Sequence, residues 1–293
     1  MDQLNIQWYP GHMTKARRMM EEILHQVDAL CEILDARIPN ASRNPAIDSL
    51  AAGKPRLVVL NRSDLADPAL TKRWKQYYEA QGFAVLDCDA RSGKGCGAFA
   101  PAVRRLLSER LEQWQEKGQT GRKLRVMVAG IPNVGKSTFI NRIAGRKAAA
   151  AGDRPGVTRG KQWIAVDNTL ELLDTPGILW PKFEDPAVGE LLAVTNAIKA
   201  EVVDREALGA RFLQRLCDLY PDAVRERYKL EPDPSAAPWE LLERAARKRG
   251  FLISGGEADL ERMANTLLTE YHGGKLGRLT LEAPNQCEML NVK

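Results

Sequence analysis

The feature that most constrains this chain is the order of two short segments. Residues 130–137 read Gly-Ile-Pro-Asn-Val-Gly-Lys-Ser, a GxxxxGKS pattern. A strand-like run over residues 124–129 precedes the pattern and a helix-like run follows it, which is the context expected of a phosphate-binding loop. The segment Asn61–Asp64 also follows a strand-like run and has the NxxD form of a base-reading loop. It therefore comes before the phosphate loop, and the usual order of these two elements is reversed.

The composition is typical of a globular protein with a substantial core. Of the 293 residues, 44% are hydrophobic and 28% are charged, which suits about two domains. No apolar run approaches the ~20 residues of a membrane helix, and no secretory signal is present, so we expect a cytoplasmic protein with no membrane partner. The net charge of +5 allows a polyanionic partner such as RNA, although a solvated basic surface explains it equally well. Five cysteines without a CxxC pair predict neither a disulfide framework nor a zinc site.

Strand-like and helix-like runs alternate along the first part of the chain. This alternation predicts an α/β domain with a mostly parallel sheet over residues 1–184, and a ligand site at the carboxyl ends of the strands. One predicted helix runs without a break over residues 95–116. The later pattern is helical only, beginning with a helix over 187–199, and predicts a smaller all-α domain over 185–283. We expect residues 284–293 to form a disordered tail.

The phosphate loop and two later segments predict a magnesium–phosphate site. The Lys136 ammonium would contact the β- and γ-phosphates, and the Ser137 hydroxyl would bind Mg²⁺. The segment DTPG ends an apolar strand, where Asp174 would hold the Mg²⁺ shell and the Gly177 N–H would contact the γ-phosphate. Thr158 lies between these segments in a Gly/Pro-rich loop and would complete the shell, although threonine is common in such loops.

The segment after the second strand predicts recognition of guanine. The Asp64 carboxylate can accept two hydrogen bonds at once, which matches the N1–H and 2-amino donors of guanine and excludes adenine. Asn61 would brace the loop and reach the base. Arg62 stands where this type of loop usually has lysine, and its guanidinium plane could stack on the base instead.

A second base loop is predicted after the third strand, where the Ala90 N–H would contact the guanine oxygen. Only the alanine of the three residues matches the usual Ser-Ala-Lys form. The predicted nucleotide contacts are Asn61, Arg62, Asp64, Asp89, Ala90, Arg91, Asn133, Val134, Gly135, Lys136, Ser137, Thr138, Thr158 and Gly177.

These elements, in this order, resemble those of the circularly permuted GTPases. Three further segments are similar to the YlqF/RbgA family of ribosome biogenesis GTPases: residues 8–13 read Trp-Tyr-Pro-Gly-His-Met, 254–260 read Ser-Gly-Gly-Glu-Ala-Asp-Leu, and 274–278 read Gly-Lys-Leu-Gly-Arg. The likeness covers roughly residues 5–282. It implies a circularly permuted P-loop GTPase domain followed by an α-helical, RNA- or ribosome-binding domain.

The resemblance also implies an activity and partners. It implies a Mg²⁺-dependent GTPase, with GTP and GDP as its nucleotides, that acts late in assembly of the large (50S) ribosomal subunit. Its partners would be the 50S precursor and its rRNA, the particle would stimulate turnover, and the chain itself would be a monomer.

Catalysis needs a group that the sequence does not place in the usual position. Many GTPases have a water-orienting glutamine directly after the DxxG glycine, but Ile178 occupies that position here. The resemblance implies that His12 acts instead, alongside the predicted catalytic contacts of Lys136 and Gly177; the alternative is that His12 caps or packs the first helix. Asn133 stands where K⁺-stimulated GTPases have a K⁺ ligand, so K⁺ is a second possible cofactor.

Two alternatives remain open from the sequence. The chain could be a nucleotide-gated RNA-binding module in which hydrolysis is incidental, or a P-loop ATPase or kinase, against which Asp64 argues. Candidate RNA-contacting cations, which a solvated helix face would explain equally well, are Lys15, Arg17, Arg18, Arg244, Arg247, Lys248 and Arg249.

Overall fold

The chain divides into two compact units. The structure is a computed structural model that describes residues 12–51, 53–119, 121–145, 162–180, 183, 185–198, 203–233 and 235–284, with the backbone alone for 12–17 and 162. Of these, residues 12–180 and 282–284 belong to one unit, the sheet unit, and residues 183–281 belong to the other, the helical unit. Every helix within the described ranges is too short or too polar to cross a membrane.

The sheet unit contains a six-stranded sheet in the order β3-β2-β1-β4-β6-β5. Its strands are β1 (Ala29–Asp35), β2 (Arg56–Asn61), β3 (Ala84–Asp87), β4 (Leu124–Ala129), β5 (Gln162–Ala165) and β6 (Leu170–Asp174). Neighbouring strands are parallel except β5, which pairs antiparallel with β6 as the predicted hairpin. The expected mostly parallel sheet is therefore confirmed.

The two central strands determine where a ligand can bind. Every residue of β1 is buried, as expected for a parallel strand covered on both faces. From β1 the chain proceeds through β2 to β3 at one edge, whereas from β4 the sheet continues through β6 to β5 at the other. The strand order thus reverses between β1 and β4, and in open α/β sheets the ligand crevice lies at the carboxyl ends of the strands at such a reversal.

Helices accompany the strands of the sheet unit. They are α1 (His12–Ile23), α2 (Pro45–Leu50), α3 (Pro68–Ala80), α4 (Phe99–Leu106), α5 (Ser108–Glu116) and α6 (Lys136–Ala144). Helix α2 was not predicted, although Asn44 as its N-cap and Pro45 in its first turn are recognisable start signals.

The unbroken helix predicted over residues 95–116 is wrong. A 3₁₀ turn over Cys96–Ala98 leads into α4, and the chain leaves helical geometry at Leu107, with φ −111° and ψ 22°, before α5 begins. The Leu107 side chain is buried, so tertiary packing overrides the local helical pattern.

Within its described residues, the helical unit has five helices. They are α7 (Pro186–Val194), α8 (Arg205–Leu219), α9 (Pro221–Tyr228), α10 (Pro238–Lys248) and α11 (Leu260–His272). Helix α8 packs on α10 and α11, and an added Cβ at Gly209 would lie 2.5 Å from the Ala264 Cβ, so this contact requires glycine. The predicted all-α region is confirmed, but α9 was missed. The helix predicted over 187–199 ends at Val194, followed by Asn196 with φ 62°.

The chain segment after the helical unit is bonded to the sheet unit. The Glu282 carboxylate accepts the N–H groups of Asn40 at 2.9 Å and Ala41 at 3.1 Å, and its carbonyl accepts the indole N–H of Trp74 at 3.1 Å. Residues 285–293 of the expected disordered tail lie outside the described residues. The division of the chain at residues 184 and 283 stays a prediction.

Candidate nucleotide-binding site

The phosphate loop has a backbone that requires two of its glycines. It follows β4 and ends where α6 begins at Lys136. Gly130 has φ 151° and an added Cβ would lie 2.5 Å from the Ile33 carbonyl oxygen, while Gly135 has φ 98°. Because the first N–H groups of a helix lack partners within the helix, the start of α6 favours an anion.

Lys136 is folded over its own loop. Its Nζ donates to the Ile131 carbonyl at 2.8 Å and to the Gly130 carbonyl at 3.2 Å, and the residue is 7% exposed. Burial lowers the pKa of Lys136 to about 8, although the nearby Asp174 charge opposes the shift. A bound phosphate would raise this pKa again, because its anionic oxygens would stabilise the ammonium that burial has removed from water.

The DTPG segment lies directly against the phosphate loop. An added Cβ at Gly177 would lie 2.8 Å from Pro132 backbone atoms and 2.9 Å from the Lys136 Nζ. Asp174 ends β6, is buried and pairs in register with Val128 of β4. The sequence-predicted γ-phosphate contact and the phosphate-binding lysine are therefore brought together.

The base reader is bonded to the phosphate loop. The buried Asn61 side chain donates from Nδ2 to the Val134 carbonyl at 2.8 Å, and its Oδ1 accepts the Ala90 N–H at 3.0 Å. An added Cβ at Gly135 would lie 2.4 Å from Asn61 Nδ2, so glycine also permits this close approach. Asn61 thus joins the three segments predicted to hold the nucleotide, and Asp64 is exposed beside them.

Arg62 is hydrogen-bonded to the phosphate loop, whereas the sequence suggested that its guanidinium stacks on the base. It adopts φ 60°, its NH2 group donates to the Asn133 carbonyl at 2.6 Å, and its NH1 lies 3.7 Å from the Asp35 carboxylate. Asp35 itself is held by the buried Arg37 at 2.7 Å. Burial would raise the pKa of Asp35, but the two arginines keep it below its usual value.

The second base loop is shaped by its first residue. The Asp89 carboxylate accepts the N–H groups of Arg91 at 2.8 Å and Ser92 at 3.1 Å. Arg142 of α6 donates to the carbonyl of Ala90 at 3.3 Å and also to that of Arg91. The helix that begins at the phosphate loop is therefore bonded to the loop predicted to contact guanine.

Ile178 cannot serve as a water-orienting residue. It is 2% exposed and belongs to a core cluster that includes Met20 and Ile23 of α1. Its N–H donates to the Gly130 carbonyl at 3.3 Å, and its carbonyl accepts Asn44 Nδ2 at 3.1 Å. The side chain is thus committed to the core, while the backbone fixes DTPG relative to the phosphate loop.

Comparison with known proteins identifies the family. Residues 125–226 match the family model described as 50S ribosome-binding GTPase. The chain is 46% identical over 286 residues to ribosome biogenesis GTPase A of Priestia megaterium, an alignment that covers 97% of this chain and 99% of the relative. The chain belongs to the ribosome biogenesis GTPase A family.

Solved structures agree with this assignment. The GDP-bound structure of TM YlqF has 27% identity and a TM-score of 0.66, and the match covers 91% of this chain and 99% of that one. The GNP-bound structure of YlqF from T. maritima has 28% identity and a TM-score of 0.63, covering 92% and 98%. The predicted YlqF/RbgA resemblance, GTPase activity and fold are confirmed.

For some predicted site residues of this ribosome biogenesis GTPase A family member, the structure describes only the backbone or nothing at all. His12 begins α1, but its side chain lies outside the described residues, as does all of Thr158. Ser137 is half-buried and Thr138 is exposed on the first turn of α6. The hydroxyl of Ser137 and the carboxylate of Asp174 are oxygen ligands of the kind Mg²⁺ prefers, so the donor set fits the ion.

The cations predicted to contact RNA on α10 are mostly paired. Arg244 lies 3.5 Å from Asp233, Arg247 lies 2.8 Å from Glu243, and Arg249 lies 2.8 Å from Glu270. Lys248 and Arg18 are exposed, whereas the side chains of Lys15 and Arg17 lie outside the described residues. The α10 cluster is therefore less basic than the sequence suggests.

Sequence reasoning missed four residues that shape this site. Asn44 could have been found as a helix cap before proline, whereas nothing in the local sequence ties Asp35, Arg37 or Arg142 to a nucleotide site. Asp35 and Arg142 act through contacts with distant segments, and Arg37 acts through its ion pair with Asp35.

Proposed function

We propose that this chain hydrolyses GTP as an assembly factor for the large (50S) ribosomal subunit, acting late in maturation with its turnover stimulated by the particle. The observation that carries the proposal is the Asn61–Val134 hydrogen bond, which joins a guanine reader to a phosphate loop in one pocket. The matching family model is described as 50S ribosome-binding, and the Priestia megaterium relative is named for ribosome biogenesis.

Guanine selection follows from Asp64. Its carboxylate accepts the N1–H and 2-amino protons, with the Ala90 N–H directed at the guanine oxygen. Asp64→Asn should weaken GTP binding and favour XTP, because xanthine carries an oxygen where guanine carries the 2-amino group. Asp67→Asn is the matched control, since Asp67 caps α3 and asparagine caps helices equally well. Equal competition by ATP and GTP in the wild type would contradict guanine selection.

Mg²⁺ would be held by Ser137 and Asp174, with Thr158 as the switch ligand. When bound, the ion neutralises charge on the phosphate oxygens. Lys136 places a second positive charge at the β- and γ-phosphates, and the Gly177 N–H donates to the γ-phosphate. Asn133 would hold K⁺ beside them, so turnover should be faster in K⁺ than in Na⁺. Equal rates in the two salts would remove K⁺ from the proposal.

His12 takes the place of the water-orienting glutamine. Support comes from Ile178, which is packed in the core with α1 residues, and from the start of α1 at His12. His12→Ala should keep GTP binding and lose most particle-stimulated turnover. His25→Ala is the matched control, since His25 is exposed in the 3₁₀ turn after the same helix. Unchanged stimulated turnover in His12→Ala would overturn this role.

The assembly role is tested by adding particles. Turnover should rise with 50S precursors and stay basal with small subunits, and the monomeric chain should sediment with the precursor in a GTP analogue but less in GDP. Nucleotide-dependent sedimentation without any stimulation would favour the alternative, an RNA-binding module in which hydrolysis is incidental. Binding that weakens as salt rises would support contacts with rRNA phosphates.

A further inference from the structure

Two thiols flank the second base loop. Cys88 precedes residues 89–95 and Cys96 follows them, and the two are 2% and 5% exposed. The ends of the loop are tied by the Asp89 N–H, which donates to the Lys94 carbonyl at 2.9 Å. An added Cβ at Gly95 would lie 3.2 Å from the Cys88 Cβ, so the backbone before Cys96 rests on Cys88. The Cys96 Sγ donates to the Asp89 carbonyl at 3.8 Å, so this sulfur lies beside the residue that follows Cys88.

One of these thiols belongs to the base-reading network. The Cys88 Sγ lies 3.6 Å from Asn61 Oδ1, to which it donates. That oxygen also accepts the Ala90 N–H, and the same amide donates to the Val134 carbonyl of the phosphate loop. A covalent change at Cys88 therefore alters the hydrogen bonding of the residue that joins both base loops to the phosphate loop.

The two thiols differ in reactivity. The adjacent Cys88 thiol, together with the Arg142 charge, lowers the pKa of Cys96. The pKa of Cys88 is raised by the adjacent Cys96 thiol and by burial. Burial also raises the pKa of Cys31 and of Cys217. Because the thiolate is the reactive form, Cys96 is the favoured nucleophile of these four.

We propose that Cys88 and Cys96 are a peroxide-sensitive dithiol whose disulfide weakens guanine binding. The Cys96 thiolate attacks one oxygen of hydrogen peroxide, the O–O bond breaks, and the departing hydroxide becomes water. Cys88 then attacks the Cys96 sulfenic acid, forming the S–S bond as the S–O bond breaks. The second hydroxide leaves with the Cys88 proton as water. Two thiols and one peroxide thus give one disulfide and two waters, and a dithiol reductant reverses the reaction.

The disulfide removes the only proton of the Cys88 sulfur. Cys88 can then no longer donate to Asn61 Oδ1, and the new bond fixes the ends of loop 89–95. The effect on nucleotide rests on the guanine-reading role proposed above. The expected loss is about tenfold in GDP affinity, the size of one hydrogen bond.

The test uses the full chain with Cys287→Ser, which removes the thiol outside the described residues. After peroxide treatment and alkylation, tryptic mapping should find the Cys88 and Cys96 peptides joined. Arg91 and Lys94 lie between the two cysteines, so trypsin separates their peptides unless a disulfide joins them. Affinity for fluorescent GDP should fall about tenfold and recover with dithiothreitol. Cys96→Ser should abolish the response, and Cys217→Ser should retain it.

Other outcomes overturn the proposal. They are alkylated, separate Cys88 and Cys96 peptides after peroxide, a disulfide that joins different cysteines, or a Cys88–Cys96 disulfide with unchanged GDP affinity. A reduced chain that fails to bind GDP would contradict the proposed function instead, and peptide mapping would still decide whether the dithiol forms.

Discussion

The two units of this protein use buried polar groups in different ways. In the sheet unit, Asn61 and Arg62 donate to backbone carbonyls of the phosphate loop and fix one loop relative to another, while Lys136 donates within its own loop. In the helical unit, the Glu270 carboxylate collects cations: Arg249 lies 2.8 Å away, and Arg227 is also paired with it. The first arrangement links segments of the predicted nucleotide site, whereas the second neutralises charge within the fold.

This difference bears on where RNA would be contacted. The arginines of α10 face carboxylates in their own unit, so each would have to exchange a partner before binding a phosphate. The exposed pair of Arg247 and Glu243 contributes only ~0–1 kcal/mol to stability, so Arg247 can exchange this partner for a phosphate with little loss of free energy. It costs more for Arg249, because Glu270 is 4% exposed and would be left buried without one of its cations.

The largest effect should come from removing the charge that serves the ligand. Lys136→Ala should lower GTP turnover by about 10²–10³-fold, because a charge held at the phosphates is lost. Lys123→Ala is the matched control, since Lys123 lies 4.0 Å from Glu171 and away from the phosphate loop. The measurement is single-turnover hydrolysis. Wild-type turnover in Lys136→Ala would show that this buried charge of the sheet unit does not act on the nucleotide.

A structural charge should give the opposite pattern. Glu270→Gln should destabilise the chain by about 3 kcal/mol and leave GTP affinity unchanged, because Arg227 and Arg249 lose their carboxylate. Glu243→Gln, which affects only the exposed Arg247, should cost at most ~1 kcal/mol. Urea unfolding and nucleotide titration separate the two effects.

The pH dependence sharpens this prediction. Burial would raise the pKa of Glu270, but bonds from Arg227 and Tyr228 lower it below 4.5. Its contribution is therefore complete above the unfolded pKa of 4.5 and is lost as pH falls through the lower folded value. The stability difference between wild type and Glu270→Gln should shrink in that acid range. A constant difference would show that charge is not the cause.

Two glycines at opposite ends of α6 test the contact between base reader and phosphate loop. Both have positive φ, 98° at Gly135 and 64° at Gly145, but only Gly135 would place a Cβ within 4 Å of another group, at 2.4 Å from Asn61 Nδ2. Gly145→Ala should cost about 1 kcal/mol from backbone strain alone, and Gly135→Ala about 2 kcal/mol or more. Only Gly135→Ala should weaken GDP binding. Equal effects of both on binding would mean that the Asn61 contact contributes nothing.

The smallest effect is expected at the residue that departs from the usual lysine. Arg62→Lys keeps the positive charge but replaces the planar guanidinium with a single ammonium. The ammonium cannot donate to the Asn133 carbonyl and lie near Asp35 with two separate nitrogens, so GDP affinity should fall about twofold. Arg105→Lys is the control, because Arg105 is exposed on α4 and belongs to no predicted nucleotide contact. An increase in affinity for Arg62→Lys would show that base covering matters more than the bond to the phosphate loop.

Much of the fold was predictable from local pattern. Apolar runs identified all six strands, and the GxxxxGKS spacing located the phosphate loop, because both depend on neighbouring residues. The break at Leu107 and helix α9 were not found, since burial decides the first and α9 is short and mostly polar. Near the site, the sequence suggested Asn61 as a brace for its loop. The carbonyl partners of Asn61 and Arg62 and the Asn44–Ile178 bond could not be predicted, because they depend on residues distant in sequence.

The sequence by itself determined the parts of the site and their unusual order. It also determined that Asp64 is suited to guanine and that Ile178 cannot activate water, because these conclusions follow from the chemistry of single side chains. Only the tertiary structure decided how the parts meet. Asn61 and Val134 are 73 residues apart, yet they bond because β1 pairs with both β2, which ends at Asn61, and β4, which leads into the phosphate loop. Parallel pairing brings the carboxyl ends of distant strands to one edge, and it does so whichever segment comes first in the chain.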